Sequence, residues 1–106
     1  MPKKSMDSLT ESMFYVLLAL NQSPMCGIDI AGEIERCTKG RIRIGPATLY
    51  TILGKFEKEQ YIEEISVEGR KRTYQVTEKG RAAYREEVAR LRQCIEDAER
   101  AKGGSL

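Results

Sequence analysis

Histidine and tryptophan are absent from the 106 residues, and there are only three cysteines. Without histidine, no Ser-His or Cys-His nucleophile pair can be assembled from one chain, and the commonest nitrogen ligand of zinc and iron is missing. No metal site, cofactor or catalytic centre is therefore expected. Cys26, Cys37 and Cys94 are odd in number and form no CxxC. That argues against a disulfide framework or a zinc ribbon and leaves reduced packing residues, with a redox-sensing thiol as the other reading. The missing tryptophan disfavours stacking of a planar drug by that route. Long apolar runs are also missing. The longest, Met13 to Leu20, has eight residues, against roughly 20 for a helix that crosses hydrocarbon. Lys3 and Lys4 lie near the start, but the acids Asp7 and Glu11 come soon after them and no small-residue cleavage site trails an apolar stretch. No secretory signal is expected, and the expected location is cytoplasmic.

What is present suits one modest core, since domains usually run to about 100–150 residues. With 41% hydrophobic and 32% charged residues, the chain has enough apolar surface to offset chain entropy as a soluble globular protein. The formal net charge is only +2, and its placement says more than its sum. Five cations (Arg36, Lys39, Arg41, Arg43, Lys55) and no acid lie between Arg36 and Phe56, and three more (Arg70, Lys71, Arg72) and no acid between Arg70 and Thr77. The rest of the chain is net acidic. Such segregation makes one face electropositive, as binding to a phosphate backbone requires, although solvated helix faces are the plainer explanation of either stretch alone.

Along the chain, Ser8-Leu9-Thr10-Glu11 fits a capping box, with Ser8 as the cap of a first helix. Leu9, Met13, Val16, Leu17 and Leu20 hold one face of that helix and Phe14 and Leu18 another, and Ser23-Pro24 ends it. A second helix is expected from Gly27 to Cys37, with Ile30, Ile34 and Cys37 inward and Gly40 as the stop. Arg41-Ile42-Arg43-Ile44 alternates cation and Ile and reads as a short strand. Gly45-Pro46 announces a third helix. Its apolar stripe is Leu49, Ile52, Leu53 and Phe56; its outward arc carries Ala47, Thr48, Thr51, Gly54, Lys55 and Lys58, with Tyr50 between. Residues 61–67 and 72–76 read as two strands of a hairpin with a basic tip. Thr77 then caps a long helix over 78–102, and Gly103-Gly104-Ser105 frays. In that helix Tyr84, Val88, Leu91, Ile95 and Ala98 form a seam at coiled-coil spacing, to be covered by the first helix or by a second subunit.

The expected fold is mainly α with a small β-hairpin: a winged helix-turn-helix over residues 1–77, then a C-terminal dimerisation helix and tail over 78–106. In this arrangement the third helix enters the major groove and the wing touches the adjacent backbone or minor groove. Winged helices also serve as protein-interaction modules, which here would dock a partner through the last helix. An enzyme fits less well, because Glu63-Glu64 and Glu86-Glu87 are sequence neighbours that diverge on a strand or helix.

Gly27-Ile28-Asp29-Ile30, Gly45-Pro46-Ala47-Thr48-Leu49-Tyr50 with Leu53, Tyr61-Ile62, and Arg72-Thr73-Tyr74-Gln75-Val76-Thr77-Glu78-Lys79-Gly80 together resemble the PadR family of transcriptional regulators, in its short form with a single helix after the wing. The resemblance implies a homodimeric repressor that binds a palindromic operator and is often released by a small-molecule effector. Carried over by position, Thr48, Tyr50, Thr51 and Lys55 become recognition-helix candidates, with Arg41 and Arg43 at the helix entrance and Arg70, Lys71 and Arg72 on the wing. The dimer-interface candidates are Met13, Leu17, Tyr84, Val88, Leu91, Ile95 and Ala98. An effector between subunits would meet Met13, Phe14, Tyr84 and Leu91, side chains that equally fill a dimer core. Four positions depart from the family pattern: Ile28 replaces a common aromatic, Ala47 a frequent glycine, Thr51 a frequent proline, and Gln60 the glycine that usually ends the recognition helix. Gln60 must then take a left-handed conformation or the helix must stop differently.

Overall fold

Thr10 starts the first helix, α1 (Glu11–Gln22): its hydroxyl accepts the Met13 N–H at 3.2 Å, satisfying one of the amides left open at a helix start. The structure, a computed structural model, describes residues 9–101. The cap is therefore Thr10 and not the expected Ser8, so the helix starts two residues later than the capping box suggested; Ser8 itself and the tail beyond 101 lie outside the described residues. After α1 come β1 (Met25–Cys26), α2 (Gly27–Cys37), α3 (Pro46–Lys58), β2 (Ile62–Glu68), β3 (Lys71–Val76) and α4 (Glu78–Ala101). No helix among the described residues is long and apolar enough to cross a membrane.

The two helix-terminating turns share one device. At the end of α3 the Tyr61 N–H reaches the Phe56 carbonyl at 2.8 Å and the Gln60 N–H the Glu57 carbonyl at 3.0 Å, while the Phe56 and Tyr61 rings pack 5.7 Å apart. This is a Schellman turn with its hydrophobic contact, and Gln60 fills the left-handed position at φ +63°. At the end of α2, the Gly40 N–H bonds the Glu35 carbonyl and the Lys39 N–H the Arg36 carbonyl. There Lys39 is the left-handed residue after the cap, at φ +54°, and Gly40 comes next at +78°.

The expected strand at Arg41–Ile44 does not form. The Thr38 hydroxyl accepts the Ile42 N–H at 3.1 Å and donates to the Ile34 carbonyl at 2.8 Å, so this segment finds its backbone partner locally. Its alternation still has meaning: Ile42 and Ile44 pack against the core while Arg41 and Arg43 face out. The third strand is instead β1, directly after Pro24. It pairs antiparallel with β3, Met25 opposite Tyr74 and Cys26 opposite Thr73, in a sheet of order β1-β3-β2.

One core gathers Met13, Val16, Leu17 and Leu20 of α1, Ile30 and Ile34 of α2, the whole Leu49, Ile52, Leu53, Phe56 stripe of α3, and Ile62, Tyr74 and Val76 of the hairpin. Burial of a side chain such as Phe56 contributes roughly 1.5–3 kcal/mol. Cys37, expected inward, is exposed at the end of α2; Cys26 is buried, and its thiol donates to Asp29 at 3.3 Å.

Helix α4 is anchored at its beginning only. The Thr77 hydroxyl accepts the Gly80 N–H at 3.1 Å, and the Thr77 N–H bonds the Tyr61 carbonyl at 2.9 Å. Gly80 is there for space, because a Cβ at that position would lie 2.1 Å from the Tyr61 carbonyl oxygen. A turn later Tyr84 stacks on Phe14 of α1, with ring centroids 5.4 Å apart. Glu87 is buried beneath Arg90, whose Nε donates to it at 3.0 Å. That guanidinium holds the Glu87 carboxyl below its ordinary range, against the opposing effect of burial, and the Leu9 backbone N–H adds to the lowering.

Candidate nucleic-acid interface

Helix α3 is positioned by its own stripe. With four apolar side chains inward, Ala47, Thr48, Thr51, Gly54, Lys55 and Lys58 are all exposed, as the 100° spacing requires. Pro46 begins the helix after Gly45. Tyr50 both packs and shows: it is 53% exposed, yet its phenol lies against Gly27 at the start of α2, where a Cβ would come within 2.9 Å of the hydroxyl oxygen. The missing side chain at Gly27 thus lets α3 lean on α2 through Tyr50.

The hairpin turns at Gly69-Arg70. Glu68 pairs with Lys71, Gly69 takes φ +64° and Arg70 stays outside the left-handed region, the II′ pattern with glycine first. A bulge between Glu64 and Ser66 breaks the register. The cation runs look different once paired. Antiparallel register sets Glu68 opposite Lys71, and Arg72 lies 3.5 Å from Glu64. The Tyr74 hydroxyl, then the Glu64 carboxylate, strengthen the hold of Arg72 on its proton. Arg43 lies 3.5 Å from Glu35. Arg41 donates to the Tyr15 hydroxyl at 2.8 Å, sits over that ring and lies 3.6 Å from Glu11. Three of the six candidate cations therefore face an acid or phenol. Lys55, Arg70 and Lys71 have no ion-pair partner among the described residues.

The interface candidates also separate. Met13 and Leu17 are buried within the core of the single chain, at 7% and 0% exposure, so the residues of α1 with apolar surface left over are Phe14, Tyr15 and Leu18. Tyr84 and Val88 are half-covered, whereas Leu91, Ile95 and Ala98 are exposed. The effector candidates Met13 and Leu91 are accordingly apart in kind, one buried and one open, while Phe14 and Tyr84 stack on each other. Sequence reading missed one neighbour of the α3 surface. Thr10 and Ser12 at the start of α1 border a groove with Thr48, Thr51 and Lys55. No spacing rule within α1 signals it, because the contact is between helices far apart in the chain.

A helix-turn-helix made of α2 and α3, backed by a three-stranded sheet whose hairpin projects beside α3, defines a winged-helix protein. The chain belongs to the transcriptional regulator PadR-like family, whose model matches residues 16–86. Among solved structures, a transcriptional regulator from Clostridium thermocellum is similar at 23% identity, with a TM-score of 0.74 over 83% of this chain and 89% of that one. Bacillus subtilis PadR, solved in complex with operator DNA, is 18% identical with a TM-score of 0.66 over 74% of this chain and 47% of that one. In sequence, the chain is 31% identical over 78 residues to a 37.1 kDa protein in transposon TN4556 of Streptomyces fradiae; it spans 22% of the length of that relative.

Proposed function

We propose that the chain is a homodimeric, cytoplasmic DNA-binding repressor of the PadR type, seating α3 in the major groove of a palindromic operator with the wing on the adjacent backbone or minor groove. The observation that carries this reading is the coincidence of a small-residue face on α3 with cations, unpaired among the described residues, at its far end and at the hairpin tip. Thr48 and Thr51 leave room for close approach to base edges or phosphate, Tyr50 offers its exposed edge, and Lys55, Arg70 and Lys71 supply charge. Arg41, Arg43 and Arg72 contribute by exchanging their present acidic partners for phosphate. The complex of Bacillus subtilis PadR with operator DNA supports the reading by likeness of fold. Residues 1–77 form the DNA-binding part and 78–106 the dimerisation helix and tail, in which Tyr84, Val88, Leu91, Ile95 and Ala98 face a second copy. Release by a small molecule between the subunits belongs to the same proposal.

The test is a gel shift with genomic fragments, including DNA upstream of the protein's own coding region, run beside a sizing measurement. Replacing Arg70, Lys71 and Arg72 together by Ala should weaken binding and flatten the log–log salt dependence by up to about 0.9 per lost phosphate contact. Unchanged affinity and slope reject the role of the wing. The bare surface of Leu91 and Ile95 also suits a second reading, a winged-helix module that docks another protein. A chain that stays monomeric alone and ignores duplex DNA at low salt favours that alternative.

A further inference from the structure

We propose that the first turn of α1 belongs to the DNA-contacting surface, and that the groove between it and α3 seats one backbone phosphate of the duplex, held by the Ser12 hydroxyl and the Lys55 ammonium. The proposal rests on the DNA-binding reading above and adds an element to it. Ser12 lines the groove from one side and Thr48, Thr51 and Lys55 from the other, over apolar atoms of Met13 and Ile52. Among the described residues, no carboxylate lines it. Glu11, on the same turn, is directed to Arg41 at 3.6 Å, and the Thr10 hydroxyl at the rim is engaged in the helix cap. The side chains of Ser12, Thr48, Thr51 and Lys55 have no hydrogen-bond or ion-pair partner among the described residues.

Three hydroxyls and one ammonium, without partners among the described residues, line one groove from two helices and can all donate to a single shared acceptor. A phosphodiester supplies what the set needs, because its two unbridged oxygens accept from both sides at once and its charge makes each bond charge-assisted. The apolar atoms beneath reduce competition from water. Thr48 and Thr51 lie on the outward arc of α3, so a phosphate seated here belongs to the duplex that α3 faces rather than to a separate small anion. Lys55 would otherwise be a lone charge on a solvated helix; the groove gives it a second wall.

The deciding variant is Ser12→Asp, measured by fluorescence anisotropy on a labelled mixed-sequence duplex of about 30 base pairs at low salt. A carboxylate in the groove should weaken binding about tenfold, the loss of one charge-assisted contact plus repulsion. Thermal stability should hold or rise, because Ser12 is the second residue of α1 and an acid there favours the helix dipole. A merely structural serine would not move binding and stability in opposite directions. Ser12→Ala should weaken binding two- to threefold, roughly the loss of one modest hydrogen bond, and should add little in a chain that already carries Lys55→Ala if both hold one phosphate. If the wing variant weakens binding while Ser12→Asp binds like the parent chain, the groove proposal fails and the DNA-binding reading stands. If the parent chain itself does not bind the duplex, both fall.

Discussion

Helices α3 and α4 carry the same kind of apolar stripe and meet opposite fates. In α3, Leu49, Ile52, Leu53 and Phe56 are all buried, and the stripe is consumed by the core of its own chain. In α4 the only buried residues are Gly80 and Glu87, and the seam ends in Leu91 at 36% and Ile95 at 56% exposure. The difference lies in what stands opposite. Helix α3 is enclosed by α1, α2 and the hairpin, whereas α4, about 36 Å long at the usual rise, outruns the body after its third turn, beyond Val88. A stripe declares that a face needs cover; it does not say which chain supplies it.

Several substitutions break or sharpen this contrast. The largest effect is expected from Phe56→Ala, which should cost about 3–5 kcal/mol in denaturant unfolding at any protein concentration. Leu91→Ala with Ile95→Ala should behave differently: a melting temperature that rises with concentration in the parent chain should become flat in the double variant. Equal, concentration-independent losses in both would dissolve the distinction between the two stripes. Next comes the anchor of α4. Gly80→Ala forces a methyl onto the Tyr61 carbonyl and should destabilise by about 1–3 kcal/mol, with the start of α4 the first part to gain hydrogen exchange.

A smaller effect, of opposite sign, is expected at the end of α3. Gln60→Gly relieves a left-handed conformation that costs a side-chain-bearing residue roughly 1 kcal/mol or more, so a net gain of about 0.5 kcal/mol should remain after the added freedom of the unfolded chain. The smallest concerns pH. Because Arg90 lowers the folded-state pKa of Glu87 below the reference value of 4.5, the carboxylate stabilises the anchored part of α4 above that reference value. The contribution is lost as pH falls through the depressed folded value. Acid titration of the parent chain and of Glu87→Gln should converge at the low end, part as pH rises through the depressed folded value, and be fully apart above pH 4.5; parallel curves throughout would contradict this.

Much of the fold was legible because helix periodicity is local. The α3 stripe and the Thr77 cap depend on neighbours within a few positions, and each is observed; the hairpin is observed too, but its expected four-residue connection, Glu68 to Lys71, shortens to Gly69-Arg70 because Glu68 and Lys71 pair. The misses are equally physical. A strand as short as Met25–Cys26 carries no alternation to read, and only the free edge of β3 makes it a strand at all. The cations at Arg41, Arg43 and Arg72 stand in acid-free stretches, but Glu11, Glu35 and Glu64 reach them across helices and across the hairpin register. Met13 and Leu17 belong to an apolar run that continues around α1, so periodicity could not assign them to the core of this chain or to a second copy. The Ser12 groove had no signal, since neither of its walls is unusual alone.

By itself, the order of residues determined which stretches are helical, which side of α3 is apolar, and which family the chain joins. These are consequences of backbone geometry repeating every few residues. Tertiary structure alone decided which segment completes the sheet, which arginines are already neutralised, and how far α4 is covered. Each of those depends on distant parts of the chain coming within a few ångströms, where charge and burial act.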